Sequence, residues 1–163
     1  MKHFLQVRFI IYSFVLLFVI GCGVALNMFS DSDEIKLGQQ LDEQIKGNPK
    51  EYPILQGRPE VKQYVMSIGN QVLASSEIKK RGVYAYQYEI IHDDKTINAF
   101  CTPGGYIYVY TGLLKFLDNE AALAGVLGHE IAHAEKKHAT NRMTKVYGLQ
   151  FLLAIALGEK QSQ

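Results

Sequence analysis

His129-Glu130-Ile131-Ala132-His133 decides the reading of this chain. Positions four apart on an α-helix lie one above the other, because a turn takes about 3.6 residues. Two imidazoles so placed can share one tetrahedral Zn²⁺ at about 2.0–2.1 Å. Glu130 follows the first of them directly, where its carboxylate can take a proton from an attacking water. The run is therefore of the H-E-x-x-H type, pointing to a zinc centre with a built-in base. His129 and His133 are the expected metal ligands and Glu130 the expected catalytic residue.

The flanking residues favour a helix. Asp118 is the expected N-cap, Glu120 puts negative charge in the first turn, and Lys136 and Lys137 put positive charge near the far end, as the helix dipole prefers. Ala121, Ala122, Ala124, Gly125 and Gly128 are small. Two interior glycines cost about 1 kcal/mol each against alanine, so tight packing or access to the site is expected to compensate. The competing reading is a core helix with two satisfied histidines and an exposed glutamate.

Moving outward, 163 residues suffice for one domain with a moderate core. The chain is 48% hydrophobic and 20% charged with a net charge of +1, and it has no Lys/Arg run long enough to attract nucleic acid. Lys2 and Arg8 precede the apolar run Phe9–Ile20, as in a secretory signal. Val19-Ile20-Gly21-Cys22 has the form of a bacterial lipobox. Residues 1–21 are thus expected to be a lipoprotein-type signal peptide, 22–32 a lipidated N-terminus and tether, and 33–163 the metal-bearing domain. An acyl group on Cys22 would anchor the chain to a membrane. Gly23, where an inner-membrane lipoprotein would carry aspartate, favours the outer membrane. An uncut apolar span of about 20 residues and a plain signal peptide remain open; all three put the rest outside the cytoplasm. With Cys22 acylated, Cys101 has no disulfide partner. It is expected to be a half-buried strand cysteine, with a zinc thiolate as the alternative.

Helices are expected over Asp33–Lys46 and from Pro59 to about Ser75, the second burying Val61, Val65, Ile68, Val72 and Leu73. Lys79-Lys80-Arg81-Gly82 reads as a solvated basic turn. Strands are expected at Val83–His92, Thr96–Thr102 and Tyr106–Thr111, the last with Tyr106, Tyr108 and Tyr110 on one face and Ile107 and Val109 on the other. A short helical piece, Leu113–Leu117, leads to the metal helix. Helices plus a small three-stranded sheet make an α+β domain.

Asn98-Ala99-Phe100, Pro103-Gly104-Gly105, Thr111-Gly112-Leu113-Leu114 and the run from Glu120 through His133 to His138 together carry a resemblance. Over roughly Ile35 to Met143 the chain resembles the CAAX prenyl endopeptidase family of zinc metallopeptidases, in its bacterial periplasmic branch. The resemblance implies a zincin-like fold and zinc-dependent endopeptidase activity on unfolded or extended polypeptide, on the periplasmic side of a membrane. It also implies a role in envelope protein quality control. Asn98, Ala99 and Phe100 would then pair their backbone with the substrate as an added strand, although a plain hairpin would use the same residues.

The family takes its third zinc ligand from a glutamate in a later E-x-x-x-A-D setting. Glu135 and Glu159, the only carboxylates after Glu130, stand in no such setting. The chain is therefore expected to be the N-terminal portion of a longer peptidase. Its alternative is a catalytically silent zincin-like module that holds unfolded chains. The apolar run Tyr147–Leu157 is expected to need a covering neighbour. His138, five residues past His133, falls about 140° round a continuous helix; without a break it cannot reach the same metal, and an edge or structural role is expected. Lys136 and Ala139 occupy the places where a metzincin needs glycine and histidine. His92 reads as a turn residue, and His3 falls in the removed segment.

Overall fold

The computed structural model describes residues 27–157. His3, Cys22, Glu159 and the whole signal segment lie outside the described residues. Five helices and one three-stranded mixed sheet follow in the order α1 (Asp31–Lys46), α2 (Pro59–Leu73), β1 (Gln87–Ile91), β2 (Ala99–Thr102), β3 (Tyr106–Tyr110), α3 (Thr111–Phe116), α4 (Glu120–Glu135) and α5 (His138–Leu157). The fold is α+β.

β3 is the central strand because it is apolar on both faces. Tyr106, Ile107, Tyr108 and Val109 are all buried. β2 folds back on it as an antiparallel hairpin through the 3₁₀ turn Pro103–Gly105, whereas β1 lies on its other side and runs parallel to it. The tyrosine face meets Ile45, Ile91 and Phe100, and Tyr108 stacks on Phe100 at 4.8 Å between ring centres. Ile107 and Val109 face the larger core, built from Val65 and Ile68 of α2 and Leu123, Leu127 and Ile131 of α4. α4 is thus fixed to the sheet by one apolar stripe, leaving its opposite side free.

Several boundaries differ from the sequence expectation. α1 starts at Asp31 rather than Asp33, because Ser30 and Asp33 form a reciprocal capping box. The cap of α4 is Asn119, whose side chain accepts from the Ala122 N–H, rather than Asp118. The first strand begins only at Gln87; Tyr86 sits at φ 41°, which breaks the extended run although Tyr84 and Tyr86 stay buried in alternation with their neighbours. Close packing is provided elsewhere than at the α4 glycines. A Cβ on Gly125 would meet nothing within 4 Å, and one on Gly128 only Val72 at 3.7 Å. The close approach is at Gly38 of α1, where a Cβ would overlap the Pro103 carbonyl. Gly104 and Gly105, at φ 75° and 90°, let the turn fold beneath that helix.

The basic turn is not simply solvated. Lys80 pairs with Asp31 at 2.7 Å, and the backbone N–H groups of Lys79 and Lys80 donate to the Glu135 carboxylate. Residues 27–29, expected as free tether, touch α5: Asn27 donates to Thr140 and the Met28 N–H to Thr144.

Glu34 is fully buried beneath α5, where the Thr140 hydroxyl donates to it. Burial raises its pKa above the ordinary 4.5, against the opposing pull of Thr140, Lys137 and the Gly104 N–H. A carboxyl raised in this way favours the fold below its unfolded pKa, and that contribution is lost as pH rises through the folded value. Glu34→Gln keeps an oxygen to accept from Thr140 and removes the buried charge. It is expected to leave stability near pH 7 equal or higher and to flatten its rise on acidification toward pH 4.5, as denaturant titrations at several pH values would show.

Candidate metal centre

Leu123, Leu127, Ile131 and Ala134 recur along the buried side of α4. That stripe turns His129, Glu130 and His133 the other way. His129 is exposed, and Glu130 and His133 are half-buried. The two rings lie with centroids 4.6 Å apart, and their Nε2 atoms face each other at 3.0 Å. Two nitrogens bound to one tetrahedral zinc at 2.0–2.1 Å would stand about 3.3 Å apart. The pair therefore fits a zinc ion after a shift of a few tenths of an ångström, and imidazole nitrogen is a preferred zinc donor.

Glu130 lies beside the pair. Burial raises the pKa of its carboxyl, while the His133 and His129 charges and a hydrogen bond from the Cys101 backbone N–H pull it back. That N–H follows from strand register. The Tyr110 N–H donates to the Asn98 carbonyl, so Asn98, Phe100 and Thr102 turn their backbone toward β3. Ala99 and Cys101 consequently point their N–H and C=O groups to the outer edge of β2. Among the described residues no further strand pairs along that edge.

The three strand residues singled out from sequence thus separate. Asn98 is exposed but turns its carbonyl to β3. The Phe100 side chain is occupied in the stack on Tyr108. Only Ala99 offers free backbone groups. Cys101, whose N–H reaches Glu130, was missed as a contributor; register alone could have found it. Its thiol is pushed far up by burial and by the Glu130 and Glu34 carboxylates, and it donates to the Thr102 carbonyl at 3.2 Å.

The expected separation of His138 from the pair does not hold. α4 ends with Lys136 as its cap, Lys137 takes a left-handed φ of 51°, and α5 starts afresh at His138. The break removes the 140° offset, and the His138 Nδ1 stands 2.9 Å from the Nδ1 of His133. Burial and the neighbouring His133 charge lower its pKa. Glu135 is committed to Lys79, Lys80 and Tyr86. Among the described residues no group of three His, Cys, Asp or Glu is placed to hold a metal ion. A cavity of about 360 Å³ opens beside His133 and His138, walled by Cys101, Thr102 and Pro103 on one side and Arg142 and Met143 on the other. A larger hollow of about 680 Å³, between Pro49–Lys62 and β1, lies away from the histidines.

Two imidazoles facing through Nε2 and a carboxylate on one helix, behind a small sheet with a free edge strand, define a zincin-like metallopeptidase scaffold. Residues 59–161 match the model of peptidase family M48, and the chain belongs to that family. It is 29% identical over 117 residues to the β-barrel assembly-enhancing protease of Escherichia coli (strain K12), covering 72% of this chain and 22% of that protein. It is 33% identical over 85 residues to the protease of the same name from Yersinia pestis, covering 52% and 17%. It is also 46% identical over 70 residues to the mitochondrial metalloendopeptidase OMA1 of Bos taurus, covering 42% and 13%. The chain thus spans about a fifth or less of the length of these curated relatives. The narrower CAAX prenyl endopeptidase name finds no specific support in these matches; the family-level likeness holds. No helix among the described residues is long and apolar enough to cross a membrane.

Proposed function

We propose that this chain carries the metal-binding residues of a zinc-dependent endopeptidase of the bacterial cell envelope, acting on extended segments of unfolded polypeptide. The observation that carries the reading is the facing Nε2 pair of His129 and His133 with Glu130 beside it on the open side of α4. His129 and His133 would hold a zinc ion through Nε2. A zinc held there would supply Lewis-acid polarisation of the scissile carbonyl and a water that is nucleophilic near neutral pH. Glu130, oriented by the Cys101 N–H and raised in pKa by burial, takes the proton of the attacking water and returns it to the leaving amine. Ala99 pairs its outward N–H and C=O with the extended substrate, and the adjoining cavity receives a side chain. A catalytic zinc takes three protein donors; among the described residues the facing pair of His129 and His133 supplies two. Acylated Cys22 would tether the whole to the membrane, with the outer membrane favoured. Two relatives named as β-barrel assembly-enhancing proteases are in keeping with a polypeptide substrate.

The test is cleavage of casein by the full-length protein. Activity is expected to vanish on chelation and to return with zinc. Activity indifferent to chelation refutes the reading, and casein bound without being cut supports the silent holding module instead.

A further inference from the structure

The His138 ring has no part in the chemistry above, yet the fold goes to some length to bring it in. A continuous helix would carry it about 140° away from His133. The chain breaks instead, at a lysine. Lys137 takes a left-handed conformation that costs a side-chain-bearing residue of order 1 kcal/mol. Tertiary contacts hold it there: its ammonium pairs with Asp31 at 2.8 Å and donates to the Phe29 carbonyl at 2.9 Å. Asp31, paired also with Lys80, has its carboxyl held down at about 2. The new helix is pinned within its first turn, where Thr140 donates to buried Glu34 and accepts from Asn27. The outcome is a T-shaped pair of rings, His133 and His138, with centroids 4.7 Å apart and planes at 82°.

We propose that His138 is a positioning residue for the metal ligand His133, its Nδ1 accepting the Nδ1–H of that ring. The inference rests on the zinc reading above. A neutral imidazole has one N–H and one lone pair. If His133 is to offer its Nε2 lone pair to a metal shared with His129, its proton must sit on Nδ1, and that proton needs an acceptor. Among the described residues His138 Nδ1 is the only hydrogen-bond partner at that nitrogen, at 2.9 Å. His138 then carries its own proton on Nε2, toward solvent. Such outer partners usually fix the tautomer and angle of a ligating histidine, and losing one typically costs 10–100-fold in metal affinity. His138 lies too far round His133 to share the metal in this arrangement: it meets the Nδ1 side, while His129 meets the Nε2 side.

The experiment is zinc competition against a chromogenic chelator in the full-length protein, with cobalt(II) spectra as a second readout. His138→Leu is expected to weaken zinc binding about 10–100-fold. His138→Asn, whose side-chain oxygen stands where Nδ1 stood, is expected to restore most of it. Because the ring is exposed, the metal-free melting temperatures of both variants should match the parent. Wild-type affinity in His138→Leu, or asparagine doing no better than leucine, overturns the proposal. A cobalt spectrum that loses a nitrogen donor in His138→Leu would make the residue a ligand and overturn it too. A parent protein that takes up no zinc, or whose zinc is indifferent to His129→Ala, overturns the metal reading itself and this inference with it.

Discussion

Glu130→Gln is expected to lower the rate of peptide cleavage by about 10²–10⁴-fold while leaving zinc content unchanged, the range by which a positioned general base accelerates proton transfer. The substitution isolates the proton step. Glutamine has the same length and keeps a side-chain oxygen to accept from the Cys101 N–H, so the group stays where β2 holds the carboxylate. The core stripe of Leu127 and Ile131 lies on the other side of α4 and is untouched. His129 and His133 retain both ring nitrogens. What is lost is the ability to take a proton from the attacking water and hand it to the departing amine. Metal analysis beside steady-state cleavage of an unfolded substrate decides the matter. Undiminished hydrolysis would remove Glu130 from the role of base. Hydrolysis lost together with zinc would show that the residue serves the metal instead.

How much of this was legible in the chain depends on the range of the interaction responsible. The helix α4 could be read because its signals are local: four-residue spacing places two imidazoles on one side, and a small apolar run supplies the other. The tyrosine face of β3 was equally plain, since strand alternation needs only neighbours. The pairing of β1 was not. A strand followed by a polar turn reads the same whether the next strand lies beside it or across a third. Here the fully apolar β3 takes the middle and displaces β2 to the far edge. At the cap of α4, Asp118 and Asn119 are adjacent and chemically alike; the extended backbone at Asn119 made the choice. The placement of His138 was least accessible. A lysine carries no local sign that it will turn left-handed, and the cause, an ion pair to Asp31 near the start of the fold, is distant in sequence. At Gly125 the sequence left two expectations open, close packing or access to the site; the residue borders open space, in keeping with the second.

The same register that gives Glu130 its backbone donor leaves the Ala99 N–H and C=O turned outward, and a single proline tests whether substrate pairs with them. Ala99→Pro is expected to lower kcat/KM on extended peptides by about 10–100-fold, the equivalent of one lost backbone hydrogen bond at about 1–3 kcal/mol. Proline has no N–H, and at position 99 the missing N–H is the one turned outward from β3. An edge strand tolerates proline at such a position because the ladder to its neighbour is kept. The residue before it, Asn98, is then confined to extended backbone. Fold and zinc affinity should therefore survive. Phe100→Pro supplies the contrast: its N–H belongs to the ladder with Tyr108 and its ring to the stack at 4.8 Å, so that change should destabilise the sheet itself. If Ala99→Pro folds, binds zinc and cleaves extended peptides as well as the parent, substrate does not add to this edge. Residues Asn98 to Phe100 would then serve the hairpin alone. If cleavage of extended peptides falls while that of a short ester substrate, too small to span the strand, does not, the loss lies in strand pairing and the edge of β2 is where the polypeptide binds.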